Sequence, residues 1–390
     1  MKKSLTFFAC FLLTSAVFAQ IKYEKFESRK LNTTRQLKIK LPKNYDASSA
    51  IKHPVIVVFD GDYLFEPVVG QVSYQTYFDG MPESIVVGIV QGYERFYDSY
   101  SDEVTGLPIE SGAKFYQFVG EELLPYIDSK YNTSKFRVAV GHDIMGNFIN
   151  SFMFSDKPLF QAYINLSPDY QGNMNEHIVN RVKYIKDDVF YYLATSDGEK
   201  SDVLKTIMAM NEQLKTTDNK ALTYYFDELK GDSHYSMVTG ALSKALEQIF
   251  DIYKPLREKE LKEKVLTYEG SLDNYLEKRY DRIEDLFGIN KLIPEEEFEK
   301  VVGVAEERND LESLEKLGKL ANKKLPSSSL GTYYLALHAE KIGKPKKATK
   351  LYESALTMEE TPKFNKEFIM AQVEKLKLAA EETEDIEEKE

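Results

Sequence analysis

Gly141-His142-Asp143-Ile144-Met145-Gly146 is the stretch that decides the fold. The run Phe136-Arg137-Val138-Ala139-Val140 before it reads as a short buried strand, and Phe148 to Phe154 after it reads as the start of a helix. Strand, tight turn and helix are the setting of a nucleophile elbow. In its G-x-S-x-G pattern the middle residue is forced into a strained backbone, so that its side chain stands above the sheet. Here that residue is Asp143, and Met145 stands where the second glycine belongs. The setting is kept and the serine is gone, which makes catalysis itself the question.

Working outward, Arg35 to Leu41 alternates like a half-exposed strand and stops at Pro42. Pro54 to Gly61 is an apolar run closed by Asp-Gly, and Ser84 to Val90, Ala162 to Leu166 and Phe190 to Ala194 are further runs of the same kind. Continuous apolar runs are typical of strands buried on both faces of a parallel sheet. Between them, Phe115, Phe118, Val119, Leu123 and Ile127 recur at helical spacing within 115–130. Alternation of strands and helices up to about residue 254 predicts an α/β, doubly wound, mostly parallel sheet.

From Lys254 the chain turns charged and helical. Ala305 and Ala339, Leu317 and Leu351, and Ala321 and Ala355 are each 34 residues apart. Pro326 closes the first unit, and Gly343-Lys344-Pro345 marks the turn inside the second. A 34-residue period of small and apolar helix positions is the tetratricopeptide pattern. Two such units cannot bury their faces alone, so the helix expected over 272–287 completes the stack or docks it onto the sheet domain. The expected division is a leader over 1–19, a sheet domain over 20–254, a small all-α domain over 255–380 and an acidic, disordered tail over 381–390.

The leader is read from Met1-Lys2-Lys3, the apolar run Leu5 to Phe18 and the small residue Ala19, the form of a cleavable secretory signal. Export to the periplasm, cell envelope or exterior is the expectation. The single cysteine, Cys10, lies inside that run, so the mature chain holds neither disulfide nor thiol nucleophile. A net charge of −12 disfavours nucleic acid and anionic membrane surfaces as partners.

Several ordered segments together resemble the esterase group of α/β-hydrolases that includes enterochelin esterases and S-formylglutathione hydrolases. They are Leu41 to Asp46, Val58 to Asp62, Glu122 to Tyr131, Gly141-His142, Leu166-Ser167-Pro168 and His234-Tyr235-Ser236. The likeness spans residues 30 to 250, and a similar esterase-plus-tetratricopeptide layout occurs in secreted Bacteroidetes proteins. The resemblance implies an α/β-hydrolase fold in which His234, in Gly231-Asp232-Ser233-His234-Tyr235, is the base. The acid should follow the strand ending at Ala194; Asp197 and Glu199 both fit, with Asp197 slightly preferred. The implied oxyanion donors are the backbone N–H of Ile144 and one from the loop after Asp60-Gly61, taken as Gly61.

Asp143 alters the chemistry. Acyl transfer to a carboxylate gives a reactive anhydride, whereas a serine attack assisted by histidine gives a stable acyl-enzyme. Carboxylate nucleophiles suit displacement at saturated carbon, but the dehalogenase type recruits tryptophan, and this chain has none. The epoxide hydrolase type needs a sizeable cap, and too few residues separate Leu166 from Tyr191 to form one. Asp143 is expected within hydrogen-bonding distance of His234, and Met145 is expected to disturb the elbow's packing. The favoured reading is a pseudohydrolase that binds an envelope protein through its helical repeats, or a small ester ligand. The alternative is an active hydrolase of an ester or related bond using Asp143 with His234. No cofactor and no metal is implied.

Overall fold

The computed structural model describes residues 21–387, so the expected leader lies outside the described residues. Eight strands form one sheet: β1 (Ile21–Ser28), β2 (Thr33–Lys40), β3 (His53–Val58), β4 (Ile85–Ile89), β5 (Thr133–His142), β6 (Ala162–Leu166), β7 (Val189–Gly198) and β8 (Leu222–Ser233). Their order is β1-β2-β4-β3-β5-β6-β7-β8. The β1–β2 and β2–β4 pairs are antiparallel, and every other pair is parallel. The apolar runs become the central strands because both of their faces are covered. Side chains alternate by face: Ile56, Val138, Val140 and Ile164 enter one core, while Val55, Val57, Ala139 and Tyr163 enter the other. Since β3 and β5 to β8 are parallel, their C-terminal ends share one edge, where ligand sites of such sheets form.

No strand follows Ser233 among the described residues, and the chain after Lys254 is helical. The helices Glu295–Glu307 and Leu311–Lys324, then Leu330–Lys341 and Pro345–Ala355, form two hairpins. Asn309 and Gly343 sit at equivalent turns, 34 residues apart, with φ of 52° and 70°. Ala305, Ala339, Ala321 and Ala355 are all buried. Close helix packing explains why small residues recur: a Cβ on Gly331 would lie 2.4 Å from the Asn322 side chain.

The helix Leu272–Phe287 serves both parts. Its N-terminus donates from Leu272 N–H to Ser313 Oγ (3.0 Å) in the first hairpin. Its C-terminal Phe287 packs edge-on against Phe136 of β5 (4.9 Å between ring centroids) and at a tilt against Phe250 (5.1 Å). One hydrophobic cluster therefore runs unbroken from the sheet face into the hairpins. The expectation of a disordered tail from residue 381 needs correction, because the last helix, Lys366–Glu387, continues through most of it. Glutamate is a good helix former, and extending an existing helix avoids the cost of nucleation, which outweighs the repulsion of like charges.

Candidate active site

The elbow is formed. Asp143 has φ 57° and ψ −125°, between the end of β5 and the short helix Ile144–Phe148. A non-glycine residue with positive φ at a turn above a sheet is strain that the surrounding structure must hold in place. It is held by Asp143 N–H donating to Leu166 O (3.1 Å) and by Asp143 O accepting from Asn147 N–H and Asp169 N–H (3.2 Å each). Gly141 allows the helix to close on the strand, since a Cβ there would lie 2.4 Å from Met145 O. The expected disturbance by Met145 does not arise. Its side chain is fully buried in one of the two cores, with its sulfur 3.7 Å from Gln91 Nε2.

His234, just beyond β8, has its Nδ1 hydrogen-bonded to Glu199 Oε2. The slight preference for Asp197 is thereby corrected. Asp197 instead accepts from Gly231 N–H (2.8 Å) and pins the end of β8, just before the histidine. The Glu199 carboxyl is 1% exposed and also accepts from Ser167 Oγ and from Lys200 N–H (2.7 Å). Burial alone would raise its pKa, but these hydrogen bonds outweigh burial and hold it below the usual carboxyl value. Ser167 is itself buried with φ 40°, so a second strained residue supports the acid.

The expected hydrogen bond between Asp143 and His234 is absent among the described residues. The Asp143 carboxylate instead accepts from Arg95 Nη2 (3.3 Å). Arg95 is fixed by Asp60, through Nε (2.6 Å) and Nη2 (3.1 Å), and also reaches His142 O (3.3 Å). Asp60 is buried, which raises its pKa against the pull of Arg95. The Tyr63 hydroxyl lies 3.0 Å from both Asp60 Oδ2 and His142 Nδ1. His142 is buried, its Nε2 is 3.2 Å from His234 O, and its ring lies 4.4 Å from the His234 ring. Burial first, then the neighbouring His234, push its pKa down to about 4, so it is neutral at pH 7.

Of the expected oxyanion donors, Ile144 N–H has no hydrogen-bond partner among the described residues. Gly61 fails as the second, because its N–H donates to Ile89 O (2.8 Å) and is consumed by the fold. Asp62 N–H, one residue on, has no partner among the described residues. Asp169 adds a further carboxyl near the elbow. Burial, then the charges of Asp143 and Glu199, raise its pKa, with Lys200 opposing. Against the two histidines, Tyr63 and Tyr235 are 45% and 77% exposed. No group of three or more His, Cys, Asp or Glu is arranged to hold a metal ion among the described residues. Sequence reasoning missed Arg95, Gln91 and Ser167 as site members. Arg95 opens a one-turn helix, Arg95–Asp98, too short to show periodicity, while Ser167 stood inside a quoted motif and gave no sign of its bond to Glu199.

This constellation on a parallel sheet edge agrees with the comparison to known proteins. The family described as “Putative esterase” matches residues 28–248. The chain belongs to this esterase family. An uncharacterised protein from Capnocytophaga ochracea is similar over 92% of this chain and 100% of its own, at 30% identity and a TM-score of 0.83. An IroE-like serine hydrolase from Shewanella oneidensis shares the fold at 20% identity and a TM-score of 0.58, covering 78% of this chain and 99% of its own. The BES protein from Bacillus cereus follows at 25% identity and 0.53, covering 64% and 97%. No curated protein matches the chain. No helix among the described residues is long and apolar enough to cross a membrane.

Proposed function

We propose that this esterase-family member is a pseudohydrolase, a binding or scaffold protein of the cell envelope that no longer cleaves esters by the serine route. The observation that carries this reading is the pairing of Asp143 with Arg95. A serine hydrolase needs a neutral hydroxyl beside its histidine, and develops negative charge next to it in the transition state. Here the elbow carries a carboxylate already engaged by a guanidinium. That guanidinium is itself fixed by Asp60, which limits its freedom to turn toward a substrate oxyanion. A panel of chromogenic short-chain esters tests this. Turnover by the purified chain is expected to match that of Asp143→Asn, and a saturable rate abolished by that substitution would overturn the reading.

A second reading is favoured by a specific observation. The Glu199–His234 pair and the strained φ of Asp143 both persist, and both are costly features for a mere scaffold. On this reading Asp143 attacks, or serves as base for a water, and His234 assists in hydrolysis of an ester or related bond. Single turnover in ¹⁸O-water would place the label in Asp143 if it is the nucleophile.

The wider assignment belongs to the same proposal. Residues 1–19 act as a cleaved export signal, 20–254 form the hydrolase domain, and 255–380 form a tetratricopeptide-like domain that presents a surface to an envelope protein. The 34-residue offset of the two turns supports the repeat. Mass measurement of the chain recovered from its native envelope checks cleavage after Ala19.

A further inference from the structure

Away from the elbow, a cavity of about 390 Å³ opens at the junction of the sheet domain and the helical region. Three segments wall it: the turn Asp251–Tyr253, the segment 258–268 and the helix Leu272–Phe287. On that helix Tyr275, Lys278, Arg279 and Arg282 stand at i, i+3, i+4 and i+7, so one face presents them together. Glu260, Lys264 and Tyr268, spaced by four, meet them from the segment 258–268. Four cations thus face two carboxylates, Asp251 and Glu260, in a chain whose net charge is −12. Lys278 and Arg282 are like charges at i, i+4, an arrangement that costs a helix stability.

Neither carboxylate has charge to spare. Asp251 is taken by Lys254 (3.2 Å) and Arg257 (3.0 Å). Glu260 accepts from Arg279 Nη1 (2.6 Å) and Tyr275 OH (3.3 Å), with Lys264 Nζ at 3.8 Å. Arg282 is paired with Asp188 (2.9 Å). Lys278 has no partner among the described residues, and the buried Arg279 keeps its Nε without one. Tyr268 and Tyr275, both lining the cavity, stand edge to face with 5.2 Å between ring centroids.

The surplus of positive charge selects an anion, and the two rings select a flat apolar body beside it. Small-molecule sites run from roughly 300 to 1,000 Å³, and this cavity falls within that range. Arginine and lysine donors suit oxyanions, and a third ring can pack against an edge-to-face pair. We propose that the cavity binds a small aromatic molecule bearing an oxyanion group, a phosphate or a carboxylate. The anion meets Lys264, Lys278 and Arg282, and the ring lies against Tyr268 and Tyr275. Bound there, the molecule bridges the sheet domain and the helical region. None of the lining residues belongs to the elbow centre, so the inference stands whether or not Asp143 is catalytic.

Isothermal titration of the full chain with phenyl phosphate, benzoate, inorganic phosphate and phenol tests it. At least one of the two aromatic anions is expected to bind saturably, and the tighter one names the anionic group. Inorganic phosphate lacks the ring and phenol lacks the charge, so both are expected to bind more weakly. Lys264→Ala combined with Lys278→Ala, both exposed, should weaken the tighter anion at least about tenfold with unchanged circular dichroism, the scale of two partly solvated charges at close range. Lys262→Ala, an exposed lysine outside the cavity, should leave the affinity unchanged. Added sodium chloride should weaken binding. The bound anion should raise the thermal midpoint of the native chain and leave that of the double variant in place. No saturable binding of either aromatic anion, or phenol or inorganic phosphate binding as tightly, would overturn the proposal. So would a double variant that binds as before, or an equal loss in Lys262→Ala.

Discussion

At the scale of single residues, the site is a set of competitions for partners. Asp143 was legible as the elbow residue because its flanking strand and helix are local patterns, and its strained φ follows from that setting. Its partner was not legible. Arg95 lies 48 residues away at the start of the short helix Arg95–Asp98, and only the folded chain brings its guanidinium between Asp60 and Asp143. The choice of Glu199 over Asp197 turned on a two-residue difference in reach at the end of β7, which composition cannot resolve. The buried His142 yields a pH prediction. Its folded pKa of about 4 lies below the 6.5 of an unperturbed imidazole, so the unfolded chain binds a proton more readily. The stabilisation is complete above 6.5 and is lost as pH falls toward 4. Between pH 7 and pH 5 this residue is expected to remove about 2 kcal/mol of stability. Denaturant melts of the native chain and of His142→Gln should show that difference shrink in the variant.

At the scale of elements, the central strands were readable because burial on both faces demands apolar runs, and β3 to β7 show them. The edge strands were not. β1 alternates Ile21-Lys22-Tyr23-Glu24 on an exposed edge, and β8 mixes tyrosines with acidic residues, so neither stands out from a polar segment. The tail beyond residue 381 misled in the opposite direction, because charge patterning hid a helix that simply continues its predecessor. The elbow element makes its own prediction. Gly141→Ala places a Cβ 2.4 Å from Met145 O, and the strand and helix must part. A loss of about 1–3 kcal/mol is expected in chemical denaturation, the range for overpacking. A neutral effect would mean that the strand and helix are less tightly joined than described.

At the scale of the whole molecule, the sheet and the helical hairpins share one hydrophobic cluster, joined where Phe287 meets Phe136 and Phe250. The two parts are therefore expected to unfold together. Phe287→Ala should cost about 3–5 kcal/mol and lower both the far-ultraviolet and the tyrosine fluorescence transitions in step. Separate transitions would show two independent units. On this shared frame sits the proposed centre, in which Glu199 and His234 stay paired beside an elbow that carries Asp143 in place of serine. Intact mass spectrometry after exposure to a fluorophosphonate tests it most directly. The native chain is predicted to stay unmodified, Asp143→Ser to gain one phosphonyl group, and Asp143→Ser combined with His234→Ala to lose it again. Modification of the native chain, or a folded Asp143→Ser variant that remains inert, would contradict the account.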